Sequence, residues 1–314
     1  MRPDVSAIMA AYNVIANYPE GMFWRSALSA LNQMGVTVEL CIANDGSTDD
    51  TGQLIESLAE TVRFVQVASH PKNRGPAIAY NTAAGMATGR YMIQLSVRSW
   101  FEPGAFQKMT EALDARPDVG FAYGQTRYHG EIERLHIPEV FDPNLFYDSF
   151  NSLHGILYRR EAWDRGCRYI PFLEREGRHL DFSDWDFAMQ MMHVLNWRGL
   201  ALRDDLIMNY YYGGAAQLTP LTHKYWTELK AMFDQRWGYL HGDNVERMRA
   251  IMDRYILAKG KEVIEVLMGR EDRRDRLIQA GYVWINPPRP EAMTAPEWNA
   301  EAEPTEGRRH KRGS

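Results

Sequence analysis

Short apolar runs alternate with helix-period segments through the first half of the chain, and this alternation restricts the fold more than any other feature. Residues 5–11, 38–43, 64–68, 91–95 and 120–123 are largely apolar runs, each short enough for a strand. Stretches 22–33, 49–58, 76–86 and 103–113 between them carry helical patterns. A strand buried on both faces reads as a continuous apolar run, because both sides of its pleat meet protein. Helical crossovers between such strands return the chain in the same direction, so the pairing is parallel. The expected class is α/β, a mostly parallel sheet flanked by helices. On such sheets ligands lie outside the carboxyl ends of the strands. That rule selects residues 12–13, 44–45 and 96–100.

The rhythm breaks after Gly124. Residues 125–150 hold aromatics and prolines without a period, as in a long loop or hairpin excursion. A strand near 152–158, a short helix, a polar loop over 174–181 and a helix over 184–195 are expected to follow. Residues 220–268 read as helical, with Val245, Met248, Met252, Tyr255 and Ile256 on one face. From Asn286 proline and glutamate accumulate, and the chain closes on Arg308, Arg309, His310, Lys311 and Arg312, a composition expected to stay disordered. The domains expected are 1–215, a helical C-terminal extension over 216–285, and a tail over 286–314. The extension's helices are where a homo-oligomer contact or part of an acceptor site is expected.

Composition excludes several classes. With 45% hydrophobic residues in 314, a full core is available. No apolar run approaches the roughly 18–20 residues of a spanning helix. The run at 5–11 follows Asp4 and lacks the cationic lead of a secretory signal, so it reads as a strand of a soluble chain. Two cysteines, Cys41 and Cys167, make neither a disulfide framework nor a cysteine zinc site, which fits a reducing, cytoplasmic setting. The net charge of −5 does not indicate nucleic acid as a partner. The glycine-rich dinucleotide and P-loop patterns, the zinc-protease HExxH and the hydrolase GxSxG are all absent.

The richest segment is Glu39-Leu-Cys-Ile-Ala-Asn-Asp-Gly-Ser-Thr-Asp-Asp-Thr51. A strand ends at Ala43, Gly46 permits a tight bend, and Ser47 and Asp50 stand at capping-box spacing before a helix. A carboxylate at this strand end suits a polar ring such as a nucleobase. It equally suits completing the turn, and the segment alone does not choose.

Its neighbours choose a family. Val5-Ser-Ala-Ile-Met-Ala-Ala-Tyr-Asn13 precedes it; Asn73-Arg-Gly-Pro-Ala-Ile-Ala-Tyr-Asn81 and Ala87-Thr-Gly-Arg-Tyr-Met-Ile-Gln-Leu95 follow. In order and spacing the four blocks resemble the family 2 glycosyltransferases, closely over residues 4–104 and more loosely to about 212. The resemblance implies a GT-A fold and a nucleotide-sugar donor, UDP- or GDP-type, lying across the strand ends. No tightly bound cofactor is implied. Carried over, Tyr12 and Asn13 flank the base and Asp45 matches the nucleobase-contacting carboxylate. Asn44 stands where the family has the first Asp of its pair. Arg74 is placed to reach ribose or phosphate, or else is a solvated loop residue.

One block departs. The family's LDxDD, whose carboxylates hold a divalent metal against the donor diphosphate, is here Leu95-Ser-Val-Arg-Ser99. Ser96 and Ser99 are poor ligands without carboxylates, and Arg98 repels a cation. The usual Mg or Mn site is therefore expected to be absent. Either Arg98 supplies the positive charge itself, as a bidentate fork on phosphate, or the donor site has degenerated. Further on, Ser183-Asp184-Trp185-Asp186 matches the family's acidic pair at a helix start, with Ser183 in place of Glu. The resemblance makes Asp184 the general base of an inverting transfer, metal-independent where Arg98 takes the metal's place, with Asp186 the fallback; the other reading is a helix cap.

Two functional readings remain: a glycosyltransferase acting on an acceptor of unknown class, or a catalytically silent nucleotide-sugar-binding or scaffold protein on the same fold. A sugar nucleotidyltransferase would need a glycine-rich, arginine-containing loop where this chain has Ala11-Tyr-Asn-Val14.

Overall fold

The computed structural model describes residues 2–138, 140–141, 155–180, 182–213 and 219–237. The chain divides into two compact units, residues 1–218 and 219–314.

In the first unit the apolar runs become the centre of a sheet. Strands β1 (Val5–Ala11) and β2 (Val38–Asn44) are buried along almost their whole length. Strands β3 (Val65–Ser69) and β4 (Tyr91–Leu95) join them in parallel, in the order β3-β2-β1-β4. Val5 stands opposite Val38 on one side and Tyr91 on the other, and Ala11 opposite Asn44. All four strands therefore release their carboxyl ends at one edge. The crossovers are a one-turn helix α1 (Val14–Asn17) followed by α2 (Met22–Leu31), then α3 (Thr51–Thr61) and α4 (Pro76–Met86). Beyond β4 come a short strand β5 (Ser99–Phe101) and a helix α5 (Ala105–Asp114). Phe23 and Ala27 of α2, Ile55 and Leu58 of α3, and Phe106, Met109 and Leu113 of α5 close the core against the sheet.

The other half of the sheet is mixed. Strand β6 (Val119–Gly130) turns back into β7 (Arg134–His136), and β8 (Leu157–Arg159) lies antiparallel between β4 and β6. After α6 (Glu161–Asp164) comes a separate hairpin of β9 (Leu173–Arg175) and β10 (Arg178–Leu180). Helix α7 (Ser183–Met189) runs into a π-helical turn over Gln190–Val194. Strand β11 (Arg198–Tyr212) then pairs parallel with β6 and antiparallel with β5, completing a nine-stranded sheet.

A buried carboxylate locks the amino-terminal ends of the strands. Glu39, 5% exposed, accepts from Ser6 Oγ at 2.6 Å, Gln66 Nε2 at 2.9 Å, Thr88 Oγ1 at 2.9 Å and the Gly89 N–H at 3.1 Å. A buried charge costs several kcal/mol unless so compensated. Ser6, Glu39 and the Thr88–Gly89 pair come from three of the four recognised blocks, so part of what those blocks encode is structural.

Several expectations change. The strand expected at 120–123 runs on to Gly130, because Thr126 and Tyr128 are buried while Arg127 is exposed, the alternation of a half-buried strand. The loop or hairpin expected over 125–150 thus begins as a hairpin, and residues 142–150 lie outside the described residues. The strand expected near 152–158 is shorter and later. The polar loop over 174–181 is the β9–β10 hairpin: Glu176 and Gly177 both adopt positive φ, 53° and 68°, as a two-residue I′ turn requires. Glu-Gly is a weaker turn signal than Asn-Gly. The helix over 184–195 changes to π geometry after Met189. Asp50 heads α3 without a side-chain cap bond; Asp49 Oδ1 accepts the Thr51 N–H at 3.0 Å instead.

The described part of the second unit consists of α8 (Thr219–Lys224) and α9 (Trp226–Trp237). Leu229, Phe233 and Trp237 are buried, as is an ion pair between Lys230 and Asp234 one turn apart. The rest of the extension expected to 285, and the tail, lie outside the described residues. No helix among the described residues is long and apolar enough to cross a membrane.

Candidate functional site

The carboxyl ends of β1 and β2 are tied together by polar side chains of the segment 44–51. Asn13, in the left-handed region at φ 45°, accepts the Thr48 N–H through Oδ1 at 2.7 Å and donates its own N–H to Ser47 Oγ at 3.0 Å. Thr51 Oγ1 takes the Val14 N–H at 2.7 Å, and Asp49 Oδ2 the Ala16 N–H at 3.0 Å. The open N–H groups at the start of α1 are thus satisfied from the segment that leads into α3. Asn44, 8% exposed, accepts the Ser47 N–H through Oδ1 at 3.2 Å. Tyr12 is left 39% exposed beside this corner.

Asp45 is committed differently. It is 3% exposed, and its N–H donates to Ala11 O at 2.8 Å. Oδ1 accepts the Arg74 N–H at 3.0 Å and lies 2.7 Å from His70 Nδ1; Oδ2 accepts the Gly75 N–H at 2.9 Å. The other nitrogen of His70 lies 2.8 Å from Thr82 Oγ1 on α4. Both oxygens therefore hold the 73–75 loop. Gly46 lets the loop close: at φ +68° a Cβ there would fall 2.2–2.5 Å from the Lys72–Asn73 backbone. His70 carries no sequence signal, being a single histidine outside any spacing pattern.

The segment 96–99 folds into a turn held by its own serines. The Ser99 N–H and Oγ both donate to Ser96 O at 3.0 Å, and Ser99 Oγ accepts the Ser96 N–H at 3.1 Å. Ser26 of α2 donates to the same carbonyl at 2.9 Å. Ser96 Oγ accepts the Arg98 N–H at 3.4 Å. Hydroxyls so engaged, with a guanidinium between them, do not form a donor set for a hard divalent cation. Among the described residues no group of three or more His, Cys, Asp or Glu is arranged to hold a metal ion.

Arg98 reaches back over β11. Its Cζ lies 5.0 Å from the centre of the Tyr210 ring, and its Nη1 is buried with no hydrogen-bond partner. A buried guanidinium N–H left unbonded is costly and marks a place where an acceptor would bind.

Asp184 lies in the first turn of α7, where its Oδ1 accepts the Trp185 N–H at 2.9 Å. Asp186 is fully buried, and its Oδ2 accepts from Gln190 Nε2 at 2.7 Å; Gln190 in turn clamps the Arg168 backbone. That is a structural commitment. Asp184 acts electrostatically on several tyrosines. Burial pushes the Tyr210 hydroxyl up to about 12; Arg98 opposes this, and Asp184 adds to it. The Tyr80 and Tyr169 hydroxyls are likewise raised, first by burial and further by Asp184. Arg98 and Asp184, far apart in sequence, therefore act on one tyrosine. Tyr12, Asn13, Asn44 and Asp45 form a second group at the β1 and β2 ends. Arg74 is exposed at the loop between α3's side of the sheet and α4.

A parallel sheet continued by mixed strands, with its polar groups gathered at the carboxyl ends of β1, β2 and β4, defines a GT-A-type transferase fold. Solved structures agree: Staphylococcus aureus TarS residues 1–349 in complex with UDP-GlcNAc matches with a TM-score of 0.55 at 17% identity, covering 69% of this chain and 60% of that one. The family model for glycosyl transferase family 2 matches residues 6–172, and the chain belongs to that family. The succinoglycan biosynthesis protein ExoO of Rhizobium meliloti is 30% identical over 190 residues, 57% of this chain and 51% of that protein. The chondroitin synthase of Pasteurella multocida is 43% identical over 105 residues, 33% of this chain and 10% of that one. The WfaP β-1,3-glucosyltransferase of Escherichia coli is 26% identical over 213 residues, 66% and 76% of the two chains. The chain thus spans about half the length of ExoO and a tenth of the chondroitin synthase.

Proposed function

We propose that this chain transfers a sugar from a UDP- or GDP-type nucleotide sugar to an acceptor hydroxyl, inverting the anomeric centre in one displacement without a divalent metal. Asp184 accepts the proton of the acceptor hydroxyl as its oxygen bonds to the anomeric carbon. The bond from that carbon to the diphosphate oxygen breaks, and the nucleoside diphosphate leaves with the electron pair. Arg98 stabilises the charge that develops there, the part a metal plays elsewhere. Tyr12, Asn13 and Asn44 border the base, Asp45 sets the loop that carries Arg74 toward ribose or phosphate, and Ser96 lines the diphosphate side.

The observation that carries this reading is the buried, unbonded Nη1 of Arg98 at the end of β4. An anion there satisfies a donor that is otherwise costly, so donor binding relieves a cost built into the free protein. The loss of every carboxylate from the same turn favours the second reading, a silent nucleotide-sugar-binding scaffold.

Calorimetric titration with a panel of UDP and GDP sugars, with manganese or with chelator, tests both. The expected result is binding of one donor unchanged by chelator, with slow hydrolysis of that donor in the absence of acceptor. Binding that requires manganese overturns the metal-independent mechanism. Binding without hydrolysis or transfer favours the scaffold, and no binding removes both.

A further inference from the structure

The β9–β10 hairpin brings another cation to the same edge of the sheet. Arg178 is exposed on β10, and its guanidinium makes no hydrogen bond or ion pair among the described residues. Several arginines elsewhere in this unit are spent: Arg90 on Asp114 and Asp4, Arg116 on Asp118, Arg160 on Asp164, Arg159 on three backbone carbonyls.

The hairpin is docked by the next residue. A Cβ on Gly75 would fall 2.6–2.9 Å from the His179 ring, so the imidazole occupies the space that this glycine leaves open. Gly75 is the residue whose N–H Asp45 holds, at φ +92°. The hairpin therefore rests on the loop that presents Arg74. Its other landmark is Tyr18, which ends α1 and packs on the core. Burial pushes the Tyr18 hydroxyl up, and two guanidiniums, Arg98 and Arg178, pull it back down. Arg178 and Arg98, distant in the chain, thus both act on one hydroxyl, and among the described residues neither is bonded to a carboxylate. An anion carrying more than one charge is the ligand that two such unpaired guanidiniums can share.

We propose that Arg178 is a second diphosphate-binding residue, which with Arg98 brackets the donor's diphosphate from the side of the β9–β10 hairpin, His179 seating the hairpin on Gly75. The inference rests on the donor reading above and extends it: two arginines, rather than one, replace the charge of a divalent cation. One guanidinium fork can take each phosphate of a diphosphate, whereas a nucleoside monophosphate engages only one.

The test is calorimetry on the full chain with UDP, UMP, GDP and GMP as probes. It compares the native protein with Arg98→Gln, Arg178→Gln and His179→Ala, all at one salt concentration. Arg178→Gln is expected to weaken the preferred nucleoside diphosphate about tenfold while leaving its monophosphate within about twofold, with an unchanged melting temperature. His179→Ala is expected to give a smaller loss in the same direction. Diphosphate affinity within twofold of native in Arg178→Gln overturns the inference. If Arg98→Gln loses affinity in that same experiment, the donor reading stands without Arg178. If the native protein takes neither diphosphate, the donor reading itself falls.

Discussion

The guanidinium carbon of Arg98 lies 5.0 Å from the centre of the Tyr210 ring, so the turn after β4 and the far end of β11 meet through a cation on an aromatic face. The ring packs against the fork and attracts its charge. Arg98→Lys keeps the charge but loses both the stack and the second donor. Donor affinity in Arg98→Ala is expected to fall by roughly 1.5–3 kcal/mol, about 10- to 150-fold, and Arg98→Lys to recover only part of it. Full recovery by lysine in a titration would show that charge alone suffices.

Asp184→Asn keeps an acceptor for the Trp185 N–H, so the start of α7 is preserved. What is lost is the ability to take a proton. Turnover is expected to fall about a hundredfold or more, with donor affinity within about twofold of native. Single-turnover assays beside calorimetry separate the two quantities, and near-normal turnover would remove Asp184 from the mechanism.

Removing the Asp45 carboxylate leaves the Arg74 and Gly75 N–H groups and one His70 nitrogen without their acceptor inside the protein. Each buried group left unpaired costs about 1–3 kcal/mol. Asp45→Ala is therefore expected to lose at least about 3 kcal/mol in urea unfolding, and Asp45→Asn less. A loss under about 1 kcal/mol would show that the loop is held by other means.

His193, in the π-helical turn, is depressed by burial to about 4 from 6.5. The folded state therefore holds it neutral, while the unfolded state binds a proton below about 6.5. Its contribution to stability is complete above that pH and is lost as pH falls toward 4. Between pH 7 and pH 5 the native protein is expected to lose about 2 kcal/mol more than His193→Gln. Parallel losses in denaturant titrations at the two pH values would exclude His193 as the acid-sensitive group.

The order of the elements and the identity of the central strands were legible from local pattern. A continuous apolar run and a helical period report what each short segment buries, and burial in β1, β2 and β4 is uniform enough to read directly. The half-buried β6 and the hairpin at Leu173–Leu180 were not, because alternating polarity and a Glu-Gly turn resemble a loop until a partner strand is present. The blocks likewise located the strand ends but not the duties of their residues. Ser47, Thr48, Asp49 and Thr51 spend their side chains or backbone on the β1 corner.

By itself, then, the sequence determined the α/β class, the family and the edge of the sheet where the polar groups gather, since each depends on short-range pattern. Only the tertiary structure decided that Asp45 grips a loop through His70, that Arg98 carries an unbonded buried N–H, and that Arg98 and Asp184 act on one tyrosine. Those relationships join residues tens to more than a hundred positions apart. A hydrogen bond or a charge pair depends on a few ångströms in space, and no local period in the chain records that distance.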